Sequence, residues 1–165
     1  MTRDPNAGPG GRQPDQPEVL VGRYWPLHGP YSPARAAAAA GTVSELVRYL
    51  NYATGQGSRH ALRYAGDVYT VVGGLKAAAG GLEQTLRQLG ARTAALRDDP
   101  TLGHSRRRED REDHAAAARA EAAATGESLA AAGQAVGALY EALNAAQTQL
   151  AWLYHREDSP GDDVF

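Results

Sequence analysis

The side chains that most often carry chemistry are spread along this sequence rather than grouped. None of the five histidines stands three or four residues from another, the helical spacing at which two imidazoles can share a metal ion. No nucleophile-elbow pattern is present, and no glycine-rich loop joins a strand pattern to a helix pattern. The adjacent carboxylates Asp98 and Asp99 lie in a polar segment without apolar walls that could perturb a pKa. The sequence therefore predicts no catalytic, cofactor or metal site and no small-molecule substrate.

The densest group of charges is an arginine cluster. Arg106, Arg107 and Arg108, together with Arg111, could contact phosphate groups at the tip of a helical hairpin. Acidic residues interleave with these arginines up to Asp113 and nearly cancel their charge. Such alternation is also typical of a solvated helix start whose turns are joined by ion pairs. Nucleic-acid binding through these arginines is therefore an alternative function rather than the leading one.

The composition favours helices that pack closely. Of the 165 residues, 42% are hydrophobic but only 7% are aromatic, and alanine is the most frequent residue. Small side chains let helices approach, so we expect an all-α fold rather than a thick globular core. The net charge of −2 does not favour nucleic acid or an acidic membrane as a partner, and the absence of cysteine excludes disulfides. Because no segment resembles a signal peptide or a membrane span, we expect a cytoplasmic protein.

Both ends of the chain differ in composition from its middle. Residues 1–31 are rich in proline and glycine and predict a disordered arm, and residues 158–165 form a short acidic tail. Within the arm, Tyr24, Trp25 and Tyr31 form an aromatic segment. We expect these rings to contact either the protein's own helices or a partner.

Residues 32–157 predict a helical bundle of three helices, at about 33–54, 58–97 and 106–156. Ser32 and Pro33 supply a capped start for the first. The second and third helices each carry an apolar seam with alternating steps of four and three, which is typical of a coiled coil. We expect these two helices to form a long antiparallel hairpin, with the first helix packed at its open end as a three-helix bundle. The seams comprise Ala61, Ala65, Val68, Val72, Leu75, Ala79, Leu82, Leu86, Leu89, Thr93 and Leu96, and Ala118, Ala122, Thr125, Leu129, Ala132, Val136, Leu139, Leu143, Ala146, Leu150 and Leu153.

Folding the two seams against each other about the intervening turn gives a predicted register. Leu86 then meets Leu129, and Val72 meets Leu143. In this register a large residue faces a small one in most layers, as interdigitated packing requires.

Glycines recur beside both seams at intervals of seven residues. Each glycine inside a helix costs about 1 kcal/mol relative to alanine, so regular spacing favours a groove for close approach of another helix. A GC-rich coding background would also produce frequent glycine, and the sequence leaves both explanations open. We expect self-association or binding of a helical partner through Gly73, Gly80, Leu82, Leu86, Leu89, Gly126, Leu129 and Gly133.

Tyr154 and Asp158 are separated by three residues near the end of the third predicted helix. This tyrosine-three-residues-acid pattern, on a helical hairpin, resembles type VII secretion substrates. The resemblance implies export that depends on these two residues. Those families carry tryptophan-x-glycine at the interhelical turn, where this chain has Leu102 and Gly103 without tryptophan.

A second resemblance covers residues 46–53 and 62–75, which are similar to uncharacterised small helical proteins of actinobacteria, some of them on mobile elements. This resemblance implies no activity. From the predicted groove, the leading hypothesis is a non-catalytic helical interaction or scaffold protein. The alternatives are a nucleic-acid-binding accessory protein and a type VII-like secreted hairpin.

Overall fold

The computed structural model describes residues 16–55, 61–104 and 111–154, with side chains from residue 114 onward in the last range. Within these residues the chain forms four helices and no strand, which confirms the predicted all-α class. The chain divides into two compact units, Met1–Ser58 and Arg59–Phe165. The first contains α1 (Pro17–Tyr24) and α2 (Pro33–Ala53), and the second contains α3 (Ala65–Arg97) and α4 (Arg111–Leu150).

Helix α2 begins where the sequence predicts. The Ser32 hydroxyl accepts a hydrogen bond from the backbone N–H of Arg35 at 3.2 Å, and Pro33 occupies the first turn, where a helix needs no N–H donor. The helix ends where the backbone N–H of Thr54 donates to the Leu50 carbonyl at 2.8 Å. These bounds agree with the predicted range of 33–54 to within one residue.

Helix α1 lies inside the segment for which the sequence predicts disorder, so the structure differs from that prediction over residues 17–24. Pro17 stands at the start of this helix, where its fixed φ angle favours helix formation. Glu18 in the first turn and Arg23 in the last turn complement the helix dipole. Residues 1–15 of the predicted arm and the acidic tail lie outside the described residues.

Helices α3 and α4 form the predicted antiparallel hairpin. A Cβ built on Gly80 would lie 3.6 Å from the Tyr140 ring, and one built on Gly90 would lie 4.0 Å from the Cβ of Leu129. Later positions on α3 therefore face earlier positions on α4. Where α2 lies relative to this hairpin, as in the predicted three-helix bundle, stays a prediction.

Both long helices are shorter than predicted. Helix α3 begins at Ala65 because the Asp67 carboxylate accepts a hydrogen bond from the Tyr64 backbone N–H at 2.9 Å and caps the helix there. The start predicted at Ser58 lies outside the described residues. Helix α4 ends at Leu150, where the sequence predicts continuation to about residue 156.

The pairing of α3 with α4 differs from the predicted register. Leu129 lies opposite Gly90, one turn beyond its predicted neighbour Leu86. Likewise, Lys76 Nζ lies 3.4 Å from Asn144 Oδ1, although the predicted register places Asn144 opposite residues 71–72. Each α3 residue thus faces an α4 residue about one turn later than predicted. A repeating seam does not itself specify which of its layers meet.

Helix α4 also covers a different side of α3 from the one predicted. The α3 positions turned toward α4 include Lys76, Glu83 and Gly90, each half-buried. Each of these follows a predicted seam leucine by one residue, which is a rotation of about 100° around the helix. Among the described residues, only Ala79 and Ala118 are buried. The hairpin interior is therefore thin, and half of the predicted α3 seam lies outside it.

Asp99 shapes the turn after α3. Its Oδ1 atom accepts hydrogen bonds from the Thr101 hydroxyl at 2.6 Å and from the Thr101 backbone N–H at 2.8 Å. Both bonds favour the ionised carboxylate and lower the pKa of Asp99, the hydroxyl contributing most. The turn is joined to the next helix where His114 Nδ1 lies 3.0 Å from the His104 carbonyl oxygen.

We predict that NMR titration of the Asp99 carboxyl carbon gives a pKa below the ordinary value of 3.8. Because the folded-state pKa is the lower one, the stabilisation from this contact is complete above the unfolded-state pKa. It is lost as the pH falls through the folded-state pKa. Thr101→Val removes the hydroxyl donor and should move the pKa of Asp99 back toward 3.8. The same pKa in both proteins would contradict this account of the turn.

We also predict that Gly81→Ala stabilises the hairpin. Gly81 is exposed within α3, and a Cβ built there meets no atom within 4 Å. Alanine should raise the free energy of unfolding by about 1 kcal/mol, because it restricts the unfolded chain and favours the helix. Gly80→Ala is the matched variant, since its Cβ would meet the Tyr140 ring at an ordinary contact distance. Urea unfolding measures both, and a loss of stability in Gly81→Ala would contradict the open surroundings of this position.

Candidate functional site

The eight residues predicted to form one interaction groove occupy three different places on the hairpin. Gly73 and Gly80 face α4 of the same chain, where the side chains of Gln147 and Tyr140 approach them. A Cβ at Gly73 would overlap the Gln147 side-chain amide. At Gly73, a close approach of the kind that the glycine spacing predicts is thus made within the hairpin, whereas the contact at Gly80 has an ordinary distance.

Four other predicted residues lie together and line a shallow depression between α3 and α4 on the same side of the hairpin as those glycines. Its volume is about 400 Å³. One rim carries an ion pair in which Arg87 Nη2 lies 2.9 Å from Glu83 Oε1. The Arg87 side chain is 71% exposed and the Glu83 side chain 41%, so water screens this pair and it contributes little to stability. The predicted lining residues are Leu86, Gly126, Leu129 and Gly133, and the prediction missed Glu83, Arg87, Gly90, Ala130, Gln134 and Gly137.

The remaining two predicted residues, Leu82 and Leu89, belong to a column of leucines on the other side of α3. Leu75, Leu82, Leu89 and Leu96 are 38%, 45%, 49% and 50% exposed. Their spacing of seven residues keeps them at one position of the heptad, immediately before the residues that face α4. The heptad spacing of these leucines is visible in the sequence, which predicts all four in the seam between the helices and Leu82 and Leu89 also in the interaction groove.

A matching column lies beside these leucines on α4. In an antiparallel helix pair, the residues that immediately precede the interior residues of one helix lie beside the residues that immediately precede the interior residues of the other helix. On α4 this column contains Leu139, which is 50% exposed, and the half-buried alanines Ala132 and Ala146. Because Gly80 lies against Tyr140, Leu82 is nearly level with Leu139. We call Leu75, Leu82, Leu89, Leu96, Ala132, Leu139 and Ala146 the leucine face.

The central part of the leucine face carries no charge. The charged residues of this part of α3, Lys76, Glu83 and Arg87, lie toward the opposite side of the hairpin, where Lys76 contacts Asn144. On α3, the residues beside the leucine column on the side away from α4 are all uncharged between positions 74 and 88. On α4, the residues beside the matching column are all uncharged between positions 128 and 146. These flanking residues are Gly74, Ala78, Gly81, Thr85, Gln88, Ser128, Ala135 and Ala142. A surface of this kind offers apolar contact to another helix and no partner for a charge.

The predicted aromatic contact segment lies against the start of α2 within the first unit. Arg35 Nη2 donates a hydrogen bond to the Tyr24 carbonyl at 2.5 Å, and the Tyr31 hydroxyl donates to the Leu27 carbonyl. Trp25 is half-buried, whereas Tyr24 and Tyr31 are 60% and 82% exposed. Trp25 and Tyr31 help to line a small depression of about 240 Å³ that reaches Arg35 and Ala39. The segment therefore contacts the protein's own helix and also presents two tyrosines to solvent.

The residues behind the two alternative functions lie mostly outside the described ranges. Arg106, Arg107 and Arg108 are in the segment between residues 104 and 111, and of Arg111 only the helical backbone is described. Tyr154 is 77% exposed, and its motif partner Asp158 lies beyond residue 154. Both hypotheses stay predictions.

Comparison of the chain with protein families, with curated proteins and with solved structures gives no match. Across the three described ranges, no helix combines the length and apolar character needed to cross a membrane. The same ranges contain no cluster of three or more histidine or acidic side chains that could hold a metal ion.

We predict that Leu86→Glu destabilises the hairpin, because Leu86 is half-buried between α3 and α4 and a carboxylate there loses water without gaining a partner. A loss of about 2 to 4 kcal/mol in the free energy of unfolding is expected. Gln84→Glu, which introduces the same side chain at an exposed α3 position, is the matched control and should change stability by less than about 0.5 kcal/mol. Urea unfolding followed by circular dichroism measures both, and equal stability of the two variants would contradict the assignment of Leu86 to the interior.

Proposed function

We propose that this chain is a non-catalytic helical interaction protein of the cytoplasm, and that the leucine face is its binding surface. The observation that carries the proposal is the row of five leucines, 38% to 50% exposed, on one face of the α3–α4 hairpin whose central part carries no charge. Exposed leucines occur singly on most proteins, but a continuous row is typical of a surface that binds another molecule.

The energetics of the hairpin support this proposal. Burying a whole leucine side chain is worth about 1.5 to 3 kcal/mol, so covering the exposed part of each leucine is worth about 1 kcal/mol. Five such side chains supply about 5 kcal/mol, and the neighbouring alanines add to it. That gain is the right size to offset part of the entropy lost when a helix associates.

The predictions from the sequence offer two occupants for this surface. One is α2 of the same chain, as in the predicted three-helix bundle with its coiled-coil packing. Helix α2 has exposed apolar residues of its own, Val43, Leu46 and Val47, which are 58%, 57% and 47% exposed. The other is a helix of a second molecule, as the predicted self-association or helical partner requires. The proposed function corresponds to the second.

The proposal is tested with a photo-crosslinking amino acid placed at position 89 and activated in cells that produce the chain. We expect Leu89→p-benzoylphenylalanine to form an adduct with a helix of a second molecule, identified by mass spectrometry of the cross-linked peptides. Gln84→p-benzoylphenylalanine is the control, because residue 84 is exposed on α3 but lies away from the leucine face. Cross-links only to α2 of the same chain, or equal adducts at the two positions, would refute the proposed function.

A further inference from the structure

We infer that the leucine face binds a second copy of this chain, so that two hairpins pack face to face as a four-helix coiled coil. This inference rests on the proposed function and names the occupant of the face. Because the centre of the face is uncharged, a charged partner would leave an unpaired charge in the contact. A second copy presents the same uncharged centre and leaves no unpaired charge there.

The two columns of the leucine face differ in size in a way that suits self-association. The α3 column consists of leucines, whereas the α4 column has alanine at positions 132 and 146. When a two-fold axis parallel to the helices relates the two copies, the α3 column of each copy packs on the α4 column of the other. Leu89 of one copy then meets Ala132 of the other, in the large-against-small arrangement that interdigitated packing requires.

The same symmetry leaves one level of the interface with a different composition. Leu82 and Leu139 are nearly level, so two leucines from each copy meet there. Toward the open end, Leu75 of one copy meets Ala146 of the other. The interface thus has one level at which only leucines meet, between levels at which a leucine meets an alanine. This difference fixes the register of the two copies.

The size of the face is sufficient for a dimer. The α3 column from Leu75 to Leu96 is about 32 Å long at 1.5 Å per residue, and two packed helices are about 20 Å wide. Each copy therefore contributes about 600 Å², and the pair buries about 1,200 Å², the lower end of the range for stable protein–protein interfaces. An association in the micromolar range is consistent with this area.

The first experiment is size-exclusion chromatography with light scattering on the full chain, from about 1 to 500 µM. We expect the mass to rise with concentration from 17.4 kDa to about twice that value. The double variant Leu82→Gln and Leu89→Gln should stay at the mass of one chain over the whole range, with the helical circular dichroism signal retained at high concentration. A wild-type chain that stays monomeric at 500 µM would overturn the inference.

The matched control removes a leucine that is equally exposed but lies on α2. Leu46 is 57% exposed, and Leu46→Gln should dimerise like the wild type. If α2 of the same chain covers the leucine face instead, the wild type is monomeric and Leu46→Gln lowers its melting temperature. For a double variant that fails to fold, the milder Leu89→Ala replaces it, and a dimer dissociation constant unchanged from that of the wild type would then overturn the inference.

The symmetry is tested with a spin label at a single introduced cysteine, since the chain has none of its own. Gly66 is exposed near the start of α3, and a Cβ there meets no atom within 4 Å, so Gly66→Cys should not disturb the fold. An axis parallel to the helices keeps the two labels at the same level, less than about 45 Å apart. If α3 packs on α3 in opposite directions, the labels lie about 60 Å apart, and that result would overturn the proposed arrangement.

These results separate the inference from the proposed function on which it rests. A monomeric wild type combined with a cross-link from position 89 to a different protein overturns the second copy but keeps the interaction surface. A monomer without any such cross-link overturns both.

Discussion

The contact between α4 and the glycine-bearing side of α3 is the constraint on which the rest of the hairpin depends. A Cβ at Gly73 would overlap the Gln147 side-chain amide, and the Tyr140 ring lies at an ordinary contact distance from Gly80, so α4 packs against this side of α3. Because α4 lies on this side, Lys76 and Glu83 are turned toward it and the leucines one residue earlier are left outside. The rotation of α3 about its own axis thus decides both the composition of the interior and the position of the exposed leucines.

The sequence predicts the parts of this fold that depend on local chemistry. The start of α2 follows from one serine and one proline, and the hairpin follows from two heptad seams of similar length separated by a turn. The start of α3 is different, because the cap at Asp67 and the possible cap at Ser58 are both plausible in sequence. The sequence does not predict helix α1, because Pro17, which begins this helix, lies in a segment whose many prolines are typical of disorder.

The candidate site is less predictable for a physical reason. A helix with apolar residues in alternating steps of four and three has a stripe wide enough to contact one helix at its centre or two helices at its edges. The pattern around Leu82 and Leu86 is the same in both cases. What distinguishes them is the packing of glycines at neighbouring positions, which depends on the side chains of α4 and is absent from the periodicity of α3. The sequence therefore predicts one groove for eight residues that the structure distributes over three places.

A thin interior has a consequence for the chain as a whole. With only Ala79 and Ala118 buried among the described residues, the α3–α4 contact removes little apolar surface from water, and the hydrophobic contribution to its stability is correspondingly small. The leucine face leaves five leucines 38% to 50% exposed, and the ion pair of Glu83 and Arg87 lies by the depression on the other side of the hairpin. Covering the centre of the leucine face removes water from no charged group, whereas covering the depression requires the removal of water from two charged groups. For this reason the proposed association would add apolar burial to a hairpin whose own interior is thin, through the same row of leucines.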